Sequence, residues 1–423
     1  MKVLLIASNP FSKIANNGKT FESMFSGFRS EDIAQLYFSG YRPDFDYCSN
    51  YFRITDVDIL RSLKGSKTCG REVEFYKGGK NSRNRKDLQF VENMKKYISP
   101  WCRDFLWKTK RWKTKELEDW YRRFAPDVVV FVGGPYGFVS DIAIHIAEDL
   151  KVPLVEFYTD DYLLYSIKRN LFYWFEKRRL QKIFRRSVSH SQLHFAIGDQ
   201  MAKEYSDYFG CKFLPIMNSV PVREFREYPN HEKLVVSYFG GLHLHRWKMI
   251  CRLSRLIEDR AEVRVYSMAK LSDAESAEFE SSGVKFCGGV SGDMLWEKIY
   301  ESDVLLHIES DDKYLRKLTG LSVSTKIPEY LMSGRPVLGY GPEEVASMRL
   351  LNDNGVGVVI SSENNDELVV CQIEKLLVNY RTRAEIGKRG YEFCVEKFDN
   401  KKVVAEFMEA INDVVKRYNS HKK

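Results

Sequence analysis

Short apolar, β-branched runs recur along the chain, each followed by turn residues and then by apolar positions at helical spacing. In the first half these runs are residues 2–8 (KVLLIAS), 127–134 (DVVVFVGG), 152–161 (VPLVEFYTDD) and 194–199 (HFAIGD). The alternation stops over 218–233 (NSVPVREFREYPNHEK), where prolines and charges interrupt any period. It restarts at 234–241 (LVVSYFGG) and continues through 263–268, 284–289, 303–310, 335–341 and 356–360. Strands that are apolar throughout and alternate with helices predict parallel sheets covered on both faces. The expected architecture is α/β: two doubly wound, Rossmann-like domains over 1–220 and 221–395 with a cleft between them, and a last helix within 396–423 that returns across their junction. Ligands of such sheets bind outside the carboxyl ends of the strands, so the turns after these runs are where chemistry is sought.

Composition narrows the class. The 423 residues are 44% hydrophobic and 29% charged, which suits a water-soluble globular protein of two domains rather than a disordered chain. No apolar run approaches the roughly 18 residues that cross a bilayer. The opening MKVLLIASNPF reads as a first strand, because no small-residue cleavage site follows it. Eight cysteines are scattered with no CxxC pair, which argues against a zinc site and a disulfide framework and predicts a cytoplasmic setting. The net charge of +8 is local: residues 77–123 hold 15 Lys/Arg against 6 Asp/Glu, and residues 168–186 hold 8 against 1. Both stretches interleave cations with aromatics, a pattern that suits an anionic membrane surface, a polyanionic ligand or nucleic acid. The plainer reading is a solvated helical face whose Lys and Arg stems cover apolar neighbours. Within the first stretch, 77–86 (KGGKNSRNRK) reads as a mobile loop.

The strongest chemical signal is 324–342 (STKIPEYLMSGRPVLGYGP), a helix start followed by a Gly-Arg-Pro turn into a buried strand. Ser324 or Thr325 can cap that helix, and its free first-turn amides would hold a diphosphate. Lys326 adds a cation, and Glu329, three residues on, lies on the same face, where a carboxylate can take both ribose hydroxyls. A common cap followed by a surface ion pair is the bland alternative. Two other patterns are set aside. NNGKT lacks the first glycine of a phosphate loop, since Lys13 stands there. The pairs Asp44/Asp46 and Asp56/Asp58 have metal-binding spacing, yet neither ends a convincing apolar strand.

Residues 324–342 resemble the donor-nucleotide segment of GT-B glycosyltransferases, in particular family 4 and its relatives in capsule and lipopolysaccharide assembly. Residues 234–248 (LVVSYFGGLHLHRWK) resemble the strand, glycine turn and basic residue that open the family's donor domain, which implies diphosphate contacts at Gly241, Arg246 and Lys248, together with Ser324, Thr325 and Lys326. Gly18, in SNPFSKIANNGKTFESMF, takes the place of the family's first-loop glycine beside the donor phosphates. Phe286, Gly288 and Val290, in VKFCGGVSGDML, stand where the family's backbone reads the base, and Glu329 stands at the ribose. Residues 194–220 resemble the end of the acceptor domain, with Asn218 near the linker. The resemblance implies two Rossmann-like domains facing across a cleft and transfer of a sugar from a nucleotide diphosphate to a glycan or lipid-linked hydroxyl. It also implies retention of configuration and no metal or other cofactor.

This chain departs from the family's pattern in places. Leu321 stands where many members carry the first of two glutamates, so the stretch 317–326 must meet the donor sugar differently. After the fourth strand, Asp160 and Asp161 stand where relatives carry a polar residue or histidine. Either could take the acceptor's proton in an inverting site, or orient the acceptor; a cap of the next helix is the structural alternative. His307 could face the cleft or be a satisfied core histidine. A nucleotide-sugar epimerase of the same fold, and a nucleic-acid-binding platform, are the alternative functions. The partners expected are a nucleotide sugar, a glycan or lipid-linked acceptor and, by peripheral contact, the inner face of an anionic membrane, with no nucleic acid.

Overall fold

The computed structural model describes residues 1–12, 18–74, 100–165, 171–226 and 231–422. The chain divides into two compact units. One comprises Met1–Leu163, Arg169–Ile216 and Val403–Lys423; the other comprises Met217–Lys402 and the short stretch Leu164–Lys168. The second boundary therefore falls inside the last helix, Asn400–Ser420. Its Val403, Val404, Phe407 and Ile411 are buried, and Phe407 lies 5.4 Å from the Phe25 ring and 5.2 Å from Phe195, all within the first unit.

The first unit is built on an eight-stranded sheet, in the order β4-β3-β2-β1-β5-β6-β7-β8. These strands are β1 (Val3–Ala7), β2 (Ile33–Tyr37), β3 (Asn50–Arg53), β4 (Arg71–Val73), β5 (Val128–Val132), β6 (Leu154–Tyr158), β7 (Leu193–Ile197) and β8 (Phe213–Ile216). All pair in parallel except β4, which runs antiparallel on the edge. The apolar runs of the sequence correspond to β1, β5, β6 and β7, whereas β2, β3, β4 and β8 carry no comparable run. The segment 77–86, read above as a loop, lies outside the described residues.

Much of the basic stretch before β5 has a structural job. Arg103 pairs with Asp56 at 2.9 Å, both side chains almost fully buried, and the Trp107 indole donates to the same carboxylate at 2.6 Å. That joint ties the helix Pro100–Lys108 to the helix Asp56–Leu63. Asp58 completes a capping box with Thr55, so both members of one spaced aspartate pair already have local partners. Asp104 accepts from the Gly137 amide at 3.0 Å, satisfying the start of the helix Gly137–Leu150, and pairs with Arg179 of the helix Tyr173–His190.

The second unit holds a six-stranded, wholly parallel sheet in the order β11-β10-β9-β12-β13-β14. Its strands are β9 (Leu234–Phe239), β10 (Ala261–Tyr266), β11 (Lys285–Gly288), β12 (Val304–Ile308), β13 (Val337–Gly341) and β14 (Val358–Ser361). Counted in chain order this is 3-2-1-4-5-6, so the chain reverses direction across the sheet between β9 and β12. At such a reversal the connecting helices leave to opposite faces, and a crevice opens at the carboxyl ends of the two strands. Among the described residues, no helix is long and apolar enough to cross a membrane.

Candidate functional site

The crevice between β9 and β12 is occupied by an ion pair between a half-buried arginine and a buried glutamate. From the end of β9 the chain turns through Gly240 and Gly241 and then places Leu244 and His245 in left-handed conformation, at φ 61° and 58°. Two consecutive non-glycine residues in that region carry strain, which persists only where the surroundings impose it. The turn delivers Arg246 as the first residue of the helix Arg246–Ile257. Its Nη2 reaches both oxygens of Glu309, the residue following β12, at 3.2 Å each. Glu309 is 2% exposed. Burial alone would raise its carboxyl; the charge of Arg246, with His307 3.4 Å away, outweighs that and holds it at about 2. Arg246 keeps its proton because Glu309 and the Tyr238 hydroxyl offset its own desolvation. Its Nε has no hydrogen-bond partner among the described residues. The site thus presents a charged, oriented guanidinium with a buried donor left over.

Space at this crevice is kept by Gly341, at φ 154°, where a Cβ would come within 2.7 Å of the Glu309 carbonyl oxygen. His307 proves to be a buried neighbour of the carboxylate rather than an exposed group.

The 324–329 segment differs in detail from the sequence expectation. The helix runs Ile327–Met332, with Pro328 in its first turn, and the position before it is Lys326 in right-handed helical conformation with no side-chain cap. Neither Ser324 nor Thr325 holds the cap position. Ser324 instead donates its amide to Ser347 Oγ at 3.0 Å, and its own hydroxyl accepts the Lys326 amide at 3.4 Å. Proline in the first turn explains the shift, since it fixes φ there and leaves no N–H to be capped. Lys326 and Glu329 pair with each other at 3.2 Å, both half-buried. Tyr330 locks this segment against β9: its hydroxyl accepts from the Phe239 amide at 2.9 Å and meets the Phe239 carbonyl oxygen at 3.2 Å. Burial raises the Tyr330 hydroxyl far above its ordinary value, with Tyr238, Glu329 and Arg246 all close enough to act on it. Arg246, Lys326 and Glu329 therefore share one neighbourhood, and Leu321, 2% exposed, contributes no carboxylate to it.

The other residues singled out are spread more widely. Gly241 accepts the Tyr238 hydroxyl at 2.6 Å, and Lys248 is exposed on the first turn of its helix, above the Trp247 ring. Phe286, Gly288 and Val290 lie on and after β11, the sheet edge two strands from β9, where Phe286 is partly exposed and Gly288 turns at φ 74°. Asn218 is buried. In the first unit, Gly18 opens the helix Gly18–Phe25, and a Cβ there would lie 2.3 Å from the Ser12 carbonyl oxygen, so its lack of a side chain serves a backbone contact. Asp161 is 1% exposed and accepts from the Leu163 amide at 2.9 Å, which closes a local turn, and from the Tyr205 hydroxyl at 3.0 Å, which ties that turn to the helix Gly198–Phe209. Asp160 is half-buried beside the Thr159 and Tyr162 hydroxyls.

Glu309 escaped the sequence reading, although a charged residue directly after the apolar run LLHI, at a strand's carboxyl end, is a usable signal. Tyr238 and Tyr330 escaped because nothing local distinguishes them from core aromatics. Among the described residues no three His, Cys, Asp or Glu side chains converge as a metal site would need.

No family description matches the chain, and no curated protein does. Solved structures match it over nearly its whole length. Sucrose-phosphate synthase from Thermosynechococcus elongatus is similar with a TM-score of 0.63 at 10% identity, over 98% of this chain and 99% of its own. HepE of Anabaena, solved with UDP and glucose, gives 0.62 at 11% identity, over 98% and 100%. The fold is GT-B. WaaG, a glycosyltransferase involved in lipopolysaccharide biosynthesis, is another GT-B neighbour, at a TM-score of 0.54 and 13% identity, over 97% and 99%. At such identities GT-B describes the architecture, and the roles of individual residues rest on the geometry above.

Proposed function

We propose that this GT-B chain is a glycosyltransferase that moves a sugar from a nucleotide diphosphate to a hydroxyl of a glycan or lipid-linked acceptor in cell-surface polysaccharide synthesis. The observation that carries the reading is the Arg246–Glu309 pair at the β9/β12 crevice. A guanidinium already desolvated and oriented by a buried carboxylate can stabilise the charge that develops on a departing diphosphate without reorganising. HepE, solved with UDP-glucose, and TarM, solved with UDP, make a uridine diphosphate sugar the first donor to try. Lys326 would leave Glu329 for the diphosphate, freeing Glu329 for the ribose hydroxyls, while the edge at Phe286 to Val290 takes the base.

In the reaction the bond from the anomeric carbon to the β-phosphate oxygen breaks, a bond to the acceptor oxygen forms, and the acceptor's proton is lost. We take configuration to be retained and no metal to be needed, cations replacing it at the diphosphate. Of the two aspartates we assign the acceptor to Asp160, since Asp161 accepts from the Leu163 amide and from Tyr205 of the helix Gly198–Phe209, which supports a structural role for it. A lipid-linked acceptor would be met at the inner face of the membrane, which the enzyme would reach as a peripheral, cytoplasmic protein. The exposed Phe105, Phe172, Trp174 and Phe175, set among cations, support that location.

The test is a thermal-shift panel of nucleotide sugars with and without EDTA, on the wild type, Lys326→Ala and Glu329→Ala. Saturating donor at about 100 Kd should stabilise by about 2.7 kcal/mol. One donor should raise the melting temperature, EDTA should leave the rise intact, and both substitutions should abolish it. Well-folded protein that no donor stabilises would overturn the reading. Conversion of the donor, followed by the anomeric coupling of the product, then tests retention.

A further inference from the structure

A second pocket lies in the first unit. Its volume is about 230 Å³, and it sits between the end of the helix Pro100–Lys108, the turn that follows and the flank of the helix Gly137–Leu150. Phe138, in the first turn of the latter helix, lines it, and the remaining wall residues on that helix, Asp141 to Glu148, begin four residues past the helix start. At 1.5 Å per residue these lie about 6 to 16 Å along the helix from its first residue. The charged wall of the pocket therefore runs down the helix flank.

Its chemistry is cationic. Lys108, Lys110 and Lys113 line it, and no acidic partner is found for any of the three among the described residues. Of the two carboxylates on the wall, Asp141 is offset by Arg186 at 3.0 Å, and Glu148, 3.7 Å from His190, leaves the three lysines in excess. Lys113 instead directs its ammonium to a neutral acceptor, His145 Nδ1, at 3.3 Å. An ammonium facing an imidazole keeps that ring neutral with its proton on Nε2. Burial and then Lys113 lower the His145 pKa, against the opposing pull of Asp149, Glu148 and Glu118.

The backbone of the turn is also held in place. Lys110 stands at φ 58°, the Lys113 amide bonds to the Lys110 carbonyl at 3.0 Å, and the Thr114 amide bonds to that of Trp112 at 2.9 Å. Trp112 anchors the turn, 4% exposed and edge-on to His145 at 5.4 Å. Three like charges on one helix end and the pinned turn after it repel each other unless an anion joins them.

We propose that this pocket binds a phosphate group carrying two negative charges, with a small moiety attached. Lysines act on phosphate as point charges from several directions, and the volume admits a phosphoryl group with a glycerol- or sugar-sized substituent. The same chemistry is presented by a soluble phosphomonoester and by the headgroup of a phosphomonoester lipid.

The experiment follows the His145 ring protons by NMR in the full-length protein. Inorganic phosphate and glycerol 3-phosphate form the soluble arm, with sodium chloride at matched ionic strength as control. Vesicles of phosphatidylcholine with or without phosphatidate, read by flotation, form the second arm. The comparison protein is Lys108→Gln/Lys110→Asn, which removes two cations, keeps the Lys113–His145 contact and puts at 110 a residue tolerant of left-handed backbone. Its melting temperature should match the wild type. We expect a saturable shift and a raised His145 pKa with phosphate, and affinity at least about tenfold weaker in the variant. A response in the soluble arm identifies a soluble phosphomonoester. Phosphatidate-dependent flotation lost in the variant, without a soluble response, identifies the headgroup. A response matched by chloride, unchanged in the variant, or missing from both arms overturns the proposal.

Discussion

At the scale of single residues, Glu309 is the side chain whose environment departs furthest from its surroundings in sequence. Its pKa falls from 4.5 to about 2 on folding, so its contribution to stability is complete above about pH 4.5 and is lost as pH falls through 2. A shift of this size corresponds to about 3 kcal/mol. Glu309→Gln should therefore destabilise the second unit strongly at pH 7, and the gap between variant and wild type should narrow by pH 3. Urea titrations at the two pH values check this; a gap that does not narrow would mean the carboxylate's charge is not what holds Arg246. The two aspartates after β6 should separate cleanly. Asp160→Asn should lower transfer about tenfold, since the acceptor hydroxyl loses the carboxylate that orients it, leaving donor-induced stabilisation intact. Asp161→Asn should lower the melting temperature, because the Tyr205 hydroxyl and the Leu163 amide lose a charged acceptor.

Between elements, the position of the 326–329 segment depends on a close backbone approach. The helix Tyr380–Lys397 crosses the turn after Ile327–Met332 at Gly387, where a Cβ would lie 2.1 Å from the Gly334 carbonyl oxygen. Gly387→Ala should cost about 1–3 kcal/mol by overpacking. It should also weaken the donor's thermal shift, since the displaced turn carries the helix that holds Lys326 and Glu329. An alanine variant that melts and binds donor like the wild type would show that the turn accommodates the methyl group. The strands that went unread show the limits of pattern at this scale. β2 contains Gln35, a polar break in its apolar run, yet Gln35 is fully buried because its amide serves the Phe11 amide at 3.0 Å and the Asn9 carbonyl at 3.2 Å. β3 and β4 are four and three residues long, too short to show a period.

For the whole molecule, the count of 66 Lys and Arg overstates how many cations are available, since residues such as Arg103 and Arg179 have gone into buried or half-buried pairs. What remains on the surface keeps company with exposed aromatics, Phe105 at 77% and Trp174 at 67% among them. Flotation with vesicles of anionic lipid should fall with rising salt, and Trp174→Ser/Phe175→Ser should reduce it while leaving donor binding unchanged. Flotation indifferent to both would confine the aromatics to some other contact.

Sequence alone determined the alternation of strand and helix, the two parallel sheets and the restart at residue 234, because apolar runs and turn residues report local period directly. It also pointed to Lys326 and Glu329 through their spacing at a helix start, and to Arg246 through the family resemblance of residues 234–248. Only the tertiary structure decided that Glu309 partners Arg246 across 63 residues, that Asp161 holds a turn, and that Lys113 faces His145. Those outcomes depend on which buried charge meets which partner, and desolvation, which makes an unpaired buried charge so costly, acts only once the chain has closed around it.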